Sequence, residues 1–265
     1  MGLPKKVVPF DNERKTNMKA LITGASSGIG RDVARELSKK GYDLILVARD
    51  ENKLQQLKQE LTTNIEIVSL DLSNVENCKE LYDKHKDIDI LINNAGFGDC
   101  GKFWETDLDK EIQMIQTNII AYHVLTKLYL KNMKEKDSGI ILNVASIAGF
   151  MPGPLMATYY ATKNYVVKLS ESIREELRKD KSKVQISILC PGPVNTNFNK
   201  VANVEFDLKG LSSEYVAKYA MNKLLKGKFY IVPGLQIKLV RIFHRFIPAS
   251  WNAKINYNVQ RRKIH

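Results

Sequence analysis

The 265-residue chain is predicted to fold as one α/β domain of the doubly wound kind, a parallel sheet with helices on both faces. Three observations carry that expectation. Short, continuously apolar runs such as Leu44-Ile45-Leu46-Val47 recur along the chain, as strands buried on both faces do. Segments with apolar residues at helical spacing separate those runs. The first run ends in a glycine-rich turn that opens directly into a helix.

In order, Lys19–Thr23 reads as the first strand and Gly30–Lys40 as a helix, with Val33, Ala34 and Leu37 on one face and Gly41 as its stop. Asp43–Ala48 is the second strand, and residues 50–61 are helical through Leu54, Leu57 and Leu61. Ile65–Leu70 is the third strand. Ser73 is expected to cap a helix that runs to about Lys84. Ile88–Ile92 is the fourth strand, followed by one long helix over Leu108–Lys134. Ile140–Val144, a second long helix Ala157–Lys179 and Val184–Leu189 continue the alternation. A helix over Ser213–Lys226 leads to a seventh strand, Lys228–Val232. Residues 1–17 are expected to be a poorly ordered arm, 18–234 the domain, and 235–265 a basic amphipathic extension.

Composition narrows the class. Hydrophobic residues at 44% and charged residues at 26% are ordinary for a soluble globular chain. No apolar run has the length of a membrane span, and Pro4, Lys5, Lys6, Pro9 and Asp11 break any signal-type segment. Cys78, Cys100 and Cys190 are read as reduced thiols of a cytoplasmic protein. The four histidines show no ligand spacing, so no metal is expected. The net charge of +12 is a property of the tail. After Glu214 there is no Asp or Glu, and residues 215–265 carry 11 Lys and Arg, leaving 30 basic against 29 acidic residues elsewhere. No nucleic-acid motif accompanies that charge, so no nucleic-acid partner is expected.

The motif Thr23-Gly24-Ala25-Ser26-Ser27-Gly28-Ile29-Gly30 lies between the first strand and first helix. Small residues let a pyrophosphate approach the backbone, and the helix N-terminus supplies N–H groups and positive dipole. Alone, the motif also fits a plain strand–helix turn. At the end of the second strand, where an acid would bond a ribose 2′-hydroxyl, stands Arg49, suited to a 2′-phosphate, with Ser26 as a second donor. The alternative is a solvated arginine, and Asp50 either opposes it or caps the next helix. Asp71-Leu72 closes the third strand, with Asp71 placed for an adenine amino group or for a cap with Ser73. Asn93-Asn94-Ala95-Gly96 ends the fourth strand, where part of the motif is expected to tie strand ends together.

Tyr159 and Lys163 stand four apart and share a helix face. A phenol near pKa 10 is a poor acid–base at neutral pH, and an adjacent ammonium lowers it. Lys163 can also bond the nicotinamide ribose. Ser146 can donate to a substrate oxygen where charge develops, and Asn118 can hold a water.

With these motifs, and with Pro191-Gly192-Pro193-Val194-Asn195-Thr196, the chain resembles the short-chain dehydrogenase/reductase family over about residues 18–235. The resemblance implies a Rossmann-type sheet of order 3-2-1-4-5-6-7. It implies a catalytic tetrad of Asn118, Ser146, Tyr159 and Lys163, with Tyr159 as general acid–base. Cofactor contacts would come from Gly24, Ser26, Ser27, Gly28, Ile29 and Gly30, from Arg49, Asp71 and Leu72, and from Asn93, Ala95 and Gly96. Tyr159, Lys163, Pro191, Gly192, Val194 and Thr196 would complete them. The Arg49 position matches NADP-preferring members, so NADP(H) is the expected cofactor. Homodimers or homotetramers through 108–134 and 157–179 are implied as well.

The loops after strands four to six offer Phe97, Gly98, Phe150, Met151, Pro152, Met156, Phe198 and Val201 beside Ser146 and Tyr159. This apolar, uncharged lining predicts a lipophilic ketone or secondary alcohol, a hydroxysteroid first, unless several of these residues are simply core. A membrane-surface reductase of long-chain lipid ketones is the rival enzyme. A non-catalytic NADP-sensing or scaffold protein is the rival of another class. In the extension, Leu235, Leu239, Ile242, Phe243 and Phe246 fall near one helical face, with Lys238, Arg241 and Arg245 largely elsewhere. It is expected to pack over the active site or at a subunit interface, with an anionic membrane surface as the alternative. Arg261-Arg262-Lys263 is expected to be solvated.

Overall fold

A computed structural model of the chain describes residues 18–198, 202 and 210–261. The arm expected over 1–17, together with Val201, Arg262 and Lys263, lies outside the described residues. The described strands and helices are β1 (Lys19–Thr23), α1 (Gly28–Ser38), β2 (Asp43–Ala48), α2 (Glu51–Glu60), β3 (Ile65–Ser69), α3 (Val75–Lys84) and β4 (Ile90–Asn93). After them come α4 (Leu108–Ile115), a π-helical turn (Gln116–Ile120), α5 (Ala121–Glu135), β5 (Ile140–Val144), α6 (Ala157–Lys179) and β6 (Gln185–Leu189). A small strand pair follows, β7 (Val194–Asn195) and β8 (Leu211–Ser212). The chain continues through α7 (Ser213–Leu224), β9 (Tyr230–Ile231), α8 (Leu235–Phe243) and α9 (Ala249–Gln260).

The main sheet runs β3-β2-β1-β4-β5-β6-β9, with every pair parallel. This is the expected order, β9 being the seventh strand. Strand side chains alternate between two cores, as a period of two requires. Ala20, Ile22, Leu44, Leu46 and Ile92 face α1, α2 and α7. Leu21, Ile45, Val47, Leu91 and Ile141 face α3, α5 and α6. Burial on both faces explains why the strands read as unbroken apolar runs.

Three local features differ from the expectation. Asn74, not Ser73, caps α3, its side chain accepting from Glu76 N at 2.9 Å, while the Ser73 N–H is spent on Asp71 Oδ1 at 2.9 Å. The long helix over Leu108–Lys134 is interrupted by the π turn around Asn118. The extension holds a second helix, α9, that the apolar spacing did not reveal.

Candidate active site

The glycine turn leaves β1 at the carboxyl edge of the sheet, where ligands bind in such folds. Gly24 has φ +65°, and a Cβ there would lie 2.8 Å from the Ala95 Cα. A Cβ on Gly30 would lie 2.3 Å from the Gly24 carbonyl oxygen. Asn94 seals this arrangement, its Nδ2 donating to the Thr23 and Gly24 carbonyls at 3.0 and 3.1 Å. Ser27 caps α1 with extended backbone but spends no side-chain hydrogen bond on it, and the first turn of α1 contains no acid. The helix N-terminus therefore offers free donors and an uncancelled positive end. The residues present fit a dinucleotide pyrophosphate.

Arg49 follows β2 at the same edge, exposed, and among the described residues its guanidinium has no partner. Asp50 does not compete for it. Its carboxylate caps α2 through Lys53 N at 3.1 Å and pairs with Lys53 Nζ at 2.6 Å. Asp71 lies partly exposed at the end of β3, one carboxylate oxygen already accepting from Ser73 N. The Leu72 side chain is core, as is that of Val194. Ile29 packs against the first core cluster, and the Thr196 methyl stands 3.0 Å from a Cβ built on Gly28.

Asn93 departs from its expected role as a cofactor contact. It is fully buried, its Nδ2 donating to Asn143 Oδ1 at 2.9 Å and to Thr126 Oγ1 at 3.0 Å. Asn143 in turn donates to Ser170 Oγ at 2.9 Å. This network ties β4 and β5 to the helices behind them, so Asn93 belongs to the frame and not to the surface a cofactor meets. Ala95 and Gly96 lie past it; Gly96 is exposed, and a Cβ there would sit 2.8 Å from Asn118 Oδ1 and 3.7 Å from Lys163 Nζ.

The π turn brings Asn118 under this strand end. Its Oδ1 accepts from Phe97 N at 3.1 Å, and its Nδ2 donates to Phe97 O at 2.9 Å and to Thr162 Oγ1 at 3.1 Å. Thr162 donates onward to the Tyr159 carbonyl at 2.7 Å. The Asn118 side chain is thus committed to protein groups. A water there would be held by the second lone pair of Oδ1 or by a main-chain carbonyl that the π turn shifts out of the ordinary helical ladder.

Tyr159 and Lys163 come from the first turns of α6, and Ser146 caps the short 3₁₀ turn Ile147–Phe150 after β5. The Ser146 hydroxyl, which accepts from Ala148 N at 3.2 Å, stands near enough to the Tyr159 phenol to favour its ionised form. Burial pushes that phenol up to about 12, with Ser146 pulling partly back. Lys163 is 5% exposed, and burial pushes its amine down to about 8. Its Nζ donates to the Val144 carbonyl at 3.0 Å and stands 5.9 Å from the centre of the Tyr159 ring. The expected lowering of the phenol by this ammonium is therefore not delivered here: a main-chain carbonyl holds the ammonium, and desolvation of the phenol dominates. Tyr122, which the sequence reading did not pick out, completes the group. Its hydroxyl donates to the same Val144 carbonyl at 3.2 Å, and its ring lies 5.4 Å from Lys163 Nζ. Tyr122 and Thr162 carried a usable signal, four residues after Asn118 and one before Lys163.

Around Tyr159 lies a satellite apolar cluster of Met156, Phe198, Ala202, Cys100 and Tyr160. The Phe198 ring centre is 5.2 Å from that of Tyr159, and the Phe198 tip covers Gly98. Phe97 is partly buried, and Met151 is buried with its carbonyl held by Asn164 Nδ2 at 3.2 Å. Phe150 does not join them. It packs into the second core cluster against Tyr230 and His244, 6.1 and 5.7 Å between ring centres. Pro191 and Gly192 lie beside Ser146, the Pro191 carbonyl 3.5 Å from Ser146 Oγ. Gly192 is covered by Ile237 of α8, whose Cδ1 is 2.5 Å from a Cβ built there.

A glycine cradle, an exposed arginine at β2 and a Ser–Tyr–Lys group on one sheet edge agree with the likeness to known proteins. A family model described as short chain dehydrogenase matches residues 18–205. The chain belongs to the short-chain dehydrogenase family. The very-long-chain 3-oxoacyl-CoA reductase of Macaca fascicularis is 34% identical over 198 residues, 71% of this chain and 63% of that protein. A short-chain dehydrogenase from Sphingobium yanoikuyae, solved in complex with NADPH, superposes with TM-score 0.78 at 27% identity, covering 86% of this chain and 93% of that one. A short-chain dehydrogenase/reductase from Burkholderia phymatum, in complex with NAD, superposes with TM-score 0.79 at 26% identity, covering 87% and 94%. As a short-chain dehydrogenase, the chain is an oxidoreductase that acts on CH–OH groups with a nicotinamide cofactor.

Proposed function

We propose that this short-chain dehydrogenase is NADP(H)-linked and interconverts a bulky apolar ketone with its secondary alcohol. The observation that carries the substrate class is the cluster around Tyr159, where Phe198, Met156 and Tyr160 surround the ring and Lys163, the cation beside it, is held by the Val144 carbonyl. The reading for NADP(H) rests on Arg49, exposed at the end of β2 and without a partner among the described residues, with Asp50 neutralised by Lys53. Ser26 and Ser27, partly exposed in the turn, add donors for phosphate.

A bound nicotinamide supplies or accepts the hydride. Ser146 orients the substrate oxygen and donates to it as charge develops. Tyr159 gives that oxygen a proton, or takes one from it. With its phenol pushed up to about 12, Tyr159 is protonated at neutral pH, the state needed for reduction of a ketone. Lys163, with its amine near 8, is mostly charged at pH 7 and is anchored beside the site by the Val144 carbonyl. Asn118 positions the Phe97 main chain at the mouth of the site and, through Thr162, the carbonyl of Tyr159. Exposed Ile112, Ile120 and Tyr165 on the long helices support pairing of subunits there.

Within this class a steroid ketone is the first reading. A long-chain 3-oxoacyl substrate is the second, favoured by the Macaca fascicularis relative. NADPH oxidation across steroid ketones, long-chain 3-oxoacyl thioesters and small carbonyls tests both. Preference for a bulky apolar ketone is expected; turnover confined to small or charged carbonyls sinks the proposal.

A further inference from the structure

The C-terminal helices are mounted with their amphipathicity reversed. On α9, Asn252, Asn256 and Gln260 recur every fourth residue and face the domain. Asn252 Nδ2 donates to the His244 carbonyl at 3.2 Å, Asn256 Nδ2 to the Pro152 carbonyl at 2.7 Å, and Gln260 to the Tyr160 hydroxyl. The neighbouring row, Trp251, Ile255 and Val259, faces outward, with Trp251 69% exposed. A surface helix ordinarily does the reverse. On α8 the inward contacts are Ile237 on Gly192 and the Arg241 guanidinium stacked 3.4 Å from the Tyr230 ring centre. Its other apolar residues point out, Leu235 72% exposed, with Phe246 just beyond the helix at 79%. The expected packing of that face on the domain is thus not what the helix does.

A further exposed aromatic element lies between β4 and α4. Trp104, in that segment, is 79% exposed, and Lys102, whose ammonium stands 5.8 Å from the Trp104 ring centre, pairs with Glu105 at 2.8 Å. Single exposed apolar residues are ordinary, but a set such as that on α8 and α9 marks a docking surface.

We infer that α8 and α9 dock on an anionic lipid bilayer. Charge decides the occupant. The chain has no Asp or Glu after Glu214, while Lys254 and Arg261 flank the Trp251 row and are exposed. A second copy would set cations against cations, whereas anionic headgroups complement them. Amphipathic helices with basic flanks and aromatic insertions lie in the interfacial plane. No described helix is long and apolar enough to cross a membrane, so the contact is peripheral. Because α9 is bonded to Pro152 and to Tyr160, the neighbour of Tyr159, docking turns the site entrance toward lipid. That last step rests on the proposed function.

Flotation of the full-length protein with phosphatidylcholine vesicles, with and without phosphatidylserine, tests the inference. Binding is expected only with phosphatidylserine and is lost at high salt. Lys254→Gln with Arg261→Gln lowers partitioning about 25-fold, from about fivefold per cation. Trp251→Ser with Phe246→Ser lowers it at least about tenfold. Absence of flotation with phosphatidylserine, or equal flotation of both variants and the parent, overturns the inference. So does a dimer of the parent that the Trp251→Ser, Phe246→Ser variant loses in sedimentation without vesicles. NADPH binding and ketone turnover are read in the same preparations, so failure of docking and failure of the catalytic reading register separately.

Discussion

Lys163→Met should stabilise the protein while destroying its activity. The amine is 5% exposed and pushed by burial from 10.5 down to about 8. At about 1.36 kcal/mol per unit, holding it charged in the fold costs roughly 3 kcal/mol. Methionine fills a similar volume without a charge. The lost hydrogen bond to Val144 returns about 1 kcal/mol of that, and no more, because the Val144 carbonyl keeps Tyr122 as a donor. The net gain at pH 7 is about 2 kcal/mol, or about 5 °C in Tm for a chain of this size. The pH dependence has a definite sign. Between 8 and 10.5 the unfolded chain holds a proton on this lysine that the folded chain has released, so the parent gains stability as pH rises through that window. The advantage of Lys163→Met is therefore full below 8, shrinks above it and is gone beyond 10.5. Urea unfolding of both proteins without cofactor, at neutral and alkaline pH, reads this directly. A variant less stable than the parent at pH 7, or a difference that does not change with pH, refutes the reasoning.

Arg49→Ala should weaken NADPH binding about ten- to hundredfold while NADH changes little, as read by fluorescence titration; equal loss for both cofactors means that Arg49 does not meet the 2′-phosphate. Gly30→Ala places a methyl 2.3 Å from the Gly24 carbonyl, so it should cost about 1–3 kcal/mol in unfolding and most of the dinucleotide affinity; parental titration curves would contradict the cradle geometry. Asn118→Ala removes the bonds to Phe97 and should lower stability by about 2–4 kcal/mol and kcat with it; an unchanged Tm would show that the π turn does not depend on them.

Much of this was legible in the sequence because it is local. The strands are apolar on both faces, the glycine turn needs positive φ at Gly24, and Tyr159 and Lys163 share a helix face by spacing alone. What escaped depends on partners distant in the chain. The π turn at Gln116–Ile120 follows Asn118 to the main chain of Phe97, and no periodicity reports that pairing. Phe150 is an apolar loop residue that fits a substrate wall as well as a core, and only Tyr230 and His244 decide for the core. Asn93 reads like its neighbour Asn94, yet Asn143 and Thr126 draw it behind the sheet. On α8 and α9 the usual rule fails by sign: amides and an arginine face inward, so the apolar spacing marks the outer surface.

The central claim is that Tyr159 passes the proton while the cradle binds the nucleotide. NADPH-linked ketone reduction by Tyr159→Phe, with NADPH affinity measured on the same protein, tests it most directly. The substitution removes one hydroxyl and leaves the ring on Phe198. Turnover should fall by about 10²- to 10⁴-fold with NADPH affinity retained. Turnover equal to that of the parent contradicts the account.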